Sequence, residues 1–184
     1  MTFFIETERL ILRNVNEHDE EAYIQLSQDA KYQRFYDEDD CSIEKASQLV
    51  EMFIEQSKEQ PRTKYNLAIT HKQSGEFIDV CGLRIEGNRQ ASVGCGLARE
   101  YQVSGYAQEA MQALIDYGFN QLHVHRIYAE TIADNRAAIL LCKRLGMRIE
   151  GRFFEHRYFK EQWWDTVILA MLKQDKSLNN QLNS

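Results

Sequence analysis

The chain has 184 residues and a net charge of −6, with 43% hydrophobic and 27% charged residues. That length fits one domain with a full core, and the composition is that of a soluble globular protein. The negative charge argues against a nucleic-acid partner held through its phosphates, and no apolar run reaches membrane-spanning length. Cysteines 41, 81, 95 and 142 show no Cys-x-x-Cys pairing, and the first residues lack the basic start and apolar core of a signal peptide. Reduced thiols in a cytoplasmic protein are therefore expected.

In chain order, residues 3–13 read as one strand, with Ile5, Leu10 and Leu12 apolar. Asp19 and the glutamates after it favour a helix start that continues through Ala22, Tyr23 and Leu26. Residues 34–41 include Asp37-Glu38-Asp39-Asp40, too polar for core, and a loop is expected. Ser42 caps a second helix, with Glu44 two rather than three residues on, so its capping box is only approximate. Ala46, Leu49, Val50, Phe53 and Ile54 hold helical spacing there. Three strands follow: one through Tyr65, Leu67 and Ile69, which turns at Gln73-Ser74-Gly75, then 77–85, then 91–98 after a Gly87-Asn88 turn.

The stretch from Val93 to Ala113 is the one around which the rest is arranged. Glycines at 94 and 96 interrupt its strand, marking a bulge or a close approach to the backbone. After a polar turn, Gly105 opens a helix whose inward face carries Ala107, Ala110, Met111, Leu114, Gly118, Phe119 and Leu122. The unpaired N–H groups at such a helix start, with the positive dipole end, form an anion site. Ser104, Gly105 and Ala107 are small enough for a phosphate to come close, and no acidic side chain intrudes before Glu109. A plain turn is the alternative for a glycine at this position. Strand 126–132 comes next, then Asp134 and Asn135 as N-cap candidates. The helix after them runs through Ile139, Leu140, Leu141 and Leu145, with Lys143 and Arg144 in its last turn and Gly146 beyond. Residues 148–159 and 162–172 form a closing hairpin, and 173–184 is a polar tail expected to fray. The order implies one mixed α/β (α+β) domain over 1–172, with about seven mostly antiparallel strands and four helices.

These segments resemble the GCN5-related N-acetyltransferases (GNAT), and among them the RimJ/RimL-like ribosomal-protein N-terminal acetyltransferases. The likeness rests on Ile-Glu-Thr-Glu-Arg-Leu-Ile-Leu-Arg (5–13), Glu-Tyr-Gln-Val-Ser-Gly-Tyr-Ala-Gln-Glu-Ala (100–110) and His-Arg-Ile-Tyr-Ala-Glu-Thr (125–131). Asn135 and Lys-Arg-Leu-Gly-Met-Arg-Ile-Glu-Gly (143–151) complete the expected order. The resemblance implies a twisted sheet splayed in the middle and acetyl-CoA as co-substrate, with no metal. Backbone groups of Leu97 and Ala98 would pair with the pantetheine arm. The N–H groups from Gln102 through Val103, Ser104, Gly105 and Tyr106 to Ala107 would hold the pyrophosphate, and Asn135 would hydrogen-bond near the thiol. An amine acceptor, either a protein N-terminus or a small molecule, would attack the thioester directly, with no nucleic acid, no membrane and no acyl-enzyme involved. A homodimer is one option for the assembled state.

Two positions depart from the family pattern. Val103 stands where a glycine is usual, and Asn135-Arg136-Ala137-Ala138 lacks the serine that follows the asparagine in this branch. Other branches place a tyrosine where this chain has Cys142, so no usual general acid is visible. Glu155, in the Glu-Gly-x-x-x-Glu run 150–155, is the candidate general base. A surface carboxylate paired with Arg157 or Lys160 is the plainer reading. Cys95 is a lesser candidate, and a backbone N–H of strand 93–98 would polarise the carbonyl. Acidic run 37–40 either attracts a cationic acceptor or is a solvated loop. His123 and His125 lack further metal ligands at suitable spacing. The missing serine and tyrosine keep a second class open, a non-catalytic acyl-CoA sensor or scaffold.

Overall fold

In the computed structural model of the chain, residues 3–13 do not form the single strand expected. They fold back as a hairpin of β1 (Phe4–Glu6) and β2 (Leu10–Asn14), with Phe4 opposite Arg13. The turn closes through Thr7, whose N–H donates to the Leu10 carbonyl at 3.0 Å and whose hydroxyl accepts from Leu10 N at 2.9 Å. The structure describes residues 3–96 and 104–176; Leu97, Ala98, Gln102 and Val103 lie outside them.

Beyond the hairpin, α1 (Glu20–Ser27) is preceded by a 3₁₀ turn capped by Asn16, not by Asp19. Asp19 is instead buried and locked to Arg13 at 2.7 Å. Two further 3₁₀ turns, Tyr32–Phe35 and Asp39–Cys41, occupy the expected loop, and Ser42 Oγ accepts from Lys45 N to cap α2 (Ile43–Ser57). Then come β3 (Lys64–His71), β4 (Phe77–Glu86), β5 (Gln90–Cys95), α3 (Tyr106–Asn120), β6 (Arg126–Ile132), α4 (Arg136–Arg144), β7 (Arg148–Phe159) and β8 (Gln162–Leu172).

The strands make one open sheet in the order β1-β2-β3-β4-β5-β6-β8-β7, antiparallel at every pairing except β5 with β6. The eighth strand, against the seven expected, comes from the opening hairpin. One face packs on α3 and α4 through Leu67, Leu83, Leu114, Ile127 and Leu145. Gly118 lets α3 sit close, since a Cβ there would lie 2.8 Å from Leu83 Cδ1. The opposite face packs on α1 and α2 through a smaller group that includes Tyr23, Ala46, Val50 and Ala68. The start of the polar tail is docked rather than frayed: residues 173–176 are helical. Lys173 Nζ donates to the Phe119 carbonyl at 3.0 Å, and Asp175 Oδ2 accepts from Leu172 N and Arg148.

Candidate active site

The sheet opens where its one parallel pairing stops. β5 and β6 pair only as far as Ser92 with Tyr128, whereas β6 stays with β8 up to Ile132 opposite Thr166. β5 stays with β4 up to Cys95 opposite Cys81, and Gly96 N donates to the Val80 carbonyl. Because backbone groups alternate along a strand, Gly94 and Gly96 face β4; the Val93 N–H serves the last pairing with β6, and the Val93 carbonyl and both backbone groups of Cys95 are presented to the gap. Such groups demand partners. An extended chain with amides of its own fits there as an added strand.

Beside the gap, Gly105 is the N-cap of α3 in the left-handed region, φ 76°, with no side chain capping the helix. A helix start with no side-chain cap is the kind of backbone element that binds anions. Arg9 pins this turn. Its guanidinium donates to the Ser104 carbonyl at 2.9 Å and to Glu109 at 2.6 Å, and lies 4.5 Å over the Tyr106 ring. Glu109 also accepts from the Thr7 hydroxyl at 2.6 Å and from Arg9 N at 2.8 Å. Burial alone would push the Glu109 carboxyl up, but the bonds from Thr7 and Arg9 outweigh it and hold it below its ordinary value. Sequence reading missed this network, although Thr7-Glu8-Arg9-Leu10 was part of the family likeness. Glu109→Gln is expected to cost ~1–3 kcal/mol at neutral pH. A carboxyl with a depressed folded-state pKa stabilises above its unfolded pKa, and that contribution is lost as pH falls through the folded one. Denaturant midpoints of parent and variant should therefore converge in acid; a constant gap would assign the loss to packing instead.

β5 and β6 hold a constant register offset, so Gly96 and Ile132 stand level at the two lips of the gap. Asn135 lies just past Ile132. Its Oδ1 accepts from Ala138 N at 3.2 Å to cap α4, which leaves the carboxamide nitrogen to donate elsewhere. Glu155 sits on the same end of the sheet, at φ 47° in an irregular stretch of the β7–β8 pairing. Asp165 ties the two regions together, accepting from Glu155 N at 2.8 Å through Oδ1 and from Ala133 N at 2.9 Å through its backbone carbonyl. The Glu155 side chain is exposed. Neither plainer partner holds it: Arg157 pairs with Glu130, and Lys160 Nζ donates to the carbonyls of Gln33 and Arg34.

On the α1/α2 side, a pocket of about 390 Å³ opens over β4 and β5. Its floor is bare because Gly82 and Gly94 stand opposite each other. Tyr23, Tyr32 and Tyr36 form one wall, the last two stacked at 5.6 Å. Glu155 is not among the lining residues. Sequence reading missed the tyrosines; the only signal was three aromatics, Tyr32, Phe35 and Tyr36, in an otherwise polar stretch. Burial raises all three phenols, Tyr36 to about 12, with Asp79 adding to each. Tyr36 is partly exposed, and its hydroxyl is hydrogen-bonded with Tyr32. Gly96 has no room for a side chain, since a Cβ would collide with the Tyr32 hydroxyl and lie 2.6 Å from Asp79 Oδ1. The Cys95 thiol is pushed well up by burial, with Cys81 and Asp79 adding. Among the described residues, no group of three or more His, Cys, Asp or Glu converges as a metal site, and no helix is long and apolar enough to cross a membrane.

A splayed sheet beside an uncapped helix start, with a pocket at the lip, is the architecture of a transferase that takes its acyl group from a coenzyme A thioester. The chain belongs to the GNAT acetyltransferases: the acetyltransferase (GNAT) domain model matches residues 9–148. Its co-substrate is acetyl-CoA. An uncharacterised N-acetyltransferase, p20 of Bacillus licheniformis, is 28% identical over 92% of this chain and 96% of its own. Among solved structures, the ribosomal-protein α-N-acetyltransferase RimL in complex with coenzyme A superposes with a TM-score of 0.80 at 22% identity, covering 92% and 98% of the two chains. Spermidine N-acetyltransferase from Vibrio cholerae, in complex with CoA and spermine, gives 0.77 at 21% identity over the same shares. At those identities the two structures speak for the fold.

Proposed function

We propose that this chain acetylates a primary amine by direct transfer from acetyl-CoA. The observation that carries the reading is the gap itself, where Val93 and Cys95 offer backbone groups at one lip and the tyrosine pocket opens beside it. The coenzyme arm would lie along Leu97 and Ala98, with its pyrophosphate on the amides from Gln102 to Ala107. The Asn135 carboxamide nitrogen would donate near the thiol. The amine nitrogen attacks the thioester carbon, the C–N bond forms, the C–S bond breaks, and the thiolate leaves as free coenzyme A. Glu155 takes the proton the amine gives up, through water at the pocket mouth. A backbone N–H of β5 receives the developing oxyanion, and burial keeps the tyrosine phenols as O–H donors. Raised thiol pKa values at Cys95 and Cys81 support direct transfer, since a neutral buried thiol is a poor nucleophile.

A thiol-release assay with acetyl-CoA tests this against N-terminal Ser and Ala peptides, spermidine, aminoglycosides and free amino acids. Release with one class is the expected result. Tight acetyl-CoA binding with no release from any of them would favour a sensor or scaffold.

A further inference from the structure

The pocket is electrically lopsided. Of its lining residues only Lys64 and Arg84 carry a formal charge, and both are positive. They are direct cross-strand partners between β3 and β4, where like charges destabilise each other. Both face the pocket: Val80 packs toward α1 and α2 while Cys81 and Leu83 pack toward α3, so Gly82 and Arg84 alternate to the pocket side. Among the described residues no ion pair involves either cation. Glu86, two residues further along β4, is engaged by the Tyr128 hydroxyl at 3.0 Å. Acidic run 37–40 contributes nothing to the lining. Two positive charges with no ion pair among the described residues thus stand side by side at the edge of a bare cleft, where a carboxylate would relieve their repulsion.

The cations stand at the far end from the chemistry. Gly96, with the Tyr32 hydroxyl and Asp79 against it, marks the lip of the gap, and Ser92 pairs with Arg84 at the other end. Ser92 and Gly96 lie four residue steps apart along the strand, about 13 Å at the usual rise. We infer that the acceptor is an anionic primary amine, with its amine beside Gly96 and a carboxylate between Lys64 and Arg84. This inference rests on the transfer reading above and narrows it. It disfavours polyamines, whose second cation would face Arg84.

Three acceptors of equal length test it: 8-aminooctanoate, 8-aminooctanamide and 1,8-diaminooctane. In the thiol-release assay the acid is expected to exceed both others in kcat/KM by about tenfold or more, the scale of a charge-assisted hydrogen bond. Combining Lys64→Gln with Arg84→Gln should bring acid and amide within about twofold of each other. An amide or diamine as good as the acid, or an acid preference that survives the double substitution, would overturn the inference. If none of the three releases thiol, the same compounds are titrated calorimetrically into the CoA-loaded protein. Tighter binding of the acid then supports the anion site even though the transfer reading has failed. Equal binding sinks the anion site itself.

Discussion

Glu155→Gln is expected to lower kcat for amine acetylation by about 10²-fold or more at neutral pH, with acetyl-CoA affinity retained. The substitution keeps the shape of the side chain and removes only its capacity to take a proton. Glu155 is held at the right end of the sheet for that role, in a left-handed backbone conformation that a non-glycine residue adopts at a cost. The cost is offset by Asp165, which accepts from Glu155 N and bridges to the turn before Asn135. Among the described residues no ion pair involves the carboxylate, and Arg157 and Lys160 are engaged elsewhere. The sign of the pH dependence separates a base from a surface charge. As pH rises toward the pKa of the acceptor, the amine arrives already deprotonated, so the gap between parent and variant should narrow. An unchanged kcat at neutral pH would strike Glu155 from the mechanism and leave proton removal to water in the tyrosine pocket.

The second half of the fold was legible because its signals are local. Arg126–Ile132, Arg148–Phe159 and Gln162–Leu172 have the bounds that alternation and flanking turns predict. Asn135 caps its helix as an asparagine before an apolar-periodic run does. The opening hairpin was illegible for the opposite reason. Thr7-Glu8-Arg9 has no Gly, Pro or Asn to announce a turn, and the turn is held in part by Glu109, a hundred residues away. Glu109, which in the sequence marks only the first acidic residue past the expected phosphate site, ties the start of α3 to the first strands. The pocket was illegible too, because it is made partly of missing atoms. Gly94 reads as a bulge or a close approach to the backbone, but nothing local to it announces Gly82 as its partner until the β4–β5 register sets the two opposite. Lys64 and Arg84 likewise look like separate solvated residues until β3 and β4 pair.

Gly105→Val is expected to raise the acetyl-CoA dissociation constant by about 10²-fold while the protein stays folded. Space is not the obstacle, since the nearest heavy atom to a Cβ at this position would be Arg9 Nη2 at 3.6 Å. Conformation is. At φ 76° a β-branched residue is strained by roughly 1–3 kcal/mol, and relaxing that strain rotates the first N–H groups of α3 away from their common target. A side chain at the helix start also stands where the pyrophosphate would approach in the proposed mode, and about 1.4 kcal/mol lost there is already tenfold in affinity. Because Arg9 and Glu109 clamp the turn from the other side, the strain has little room to dissipate into the loop. Calorimetry with acetyl-CoA reads the result directly. Gly105→Ala provides the graded control, with a smaller loss expected from strain without β-branching. Unaltered affinity in both variants would mean that the phosphates do not rest on this helix, and the coenzyme would have to be sought on another part of the sheet edge.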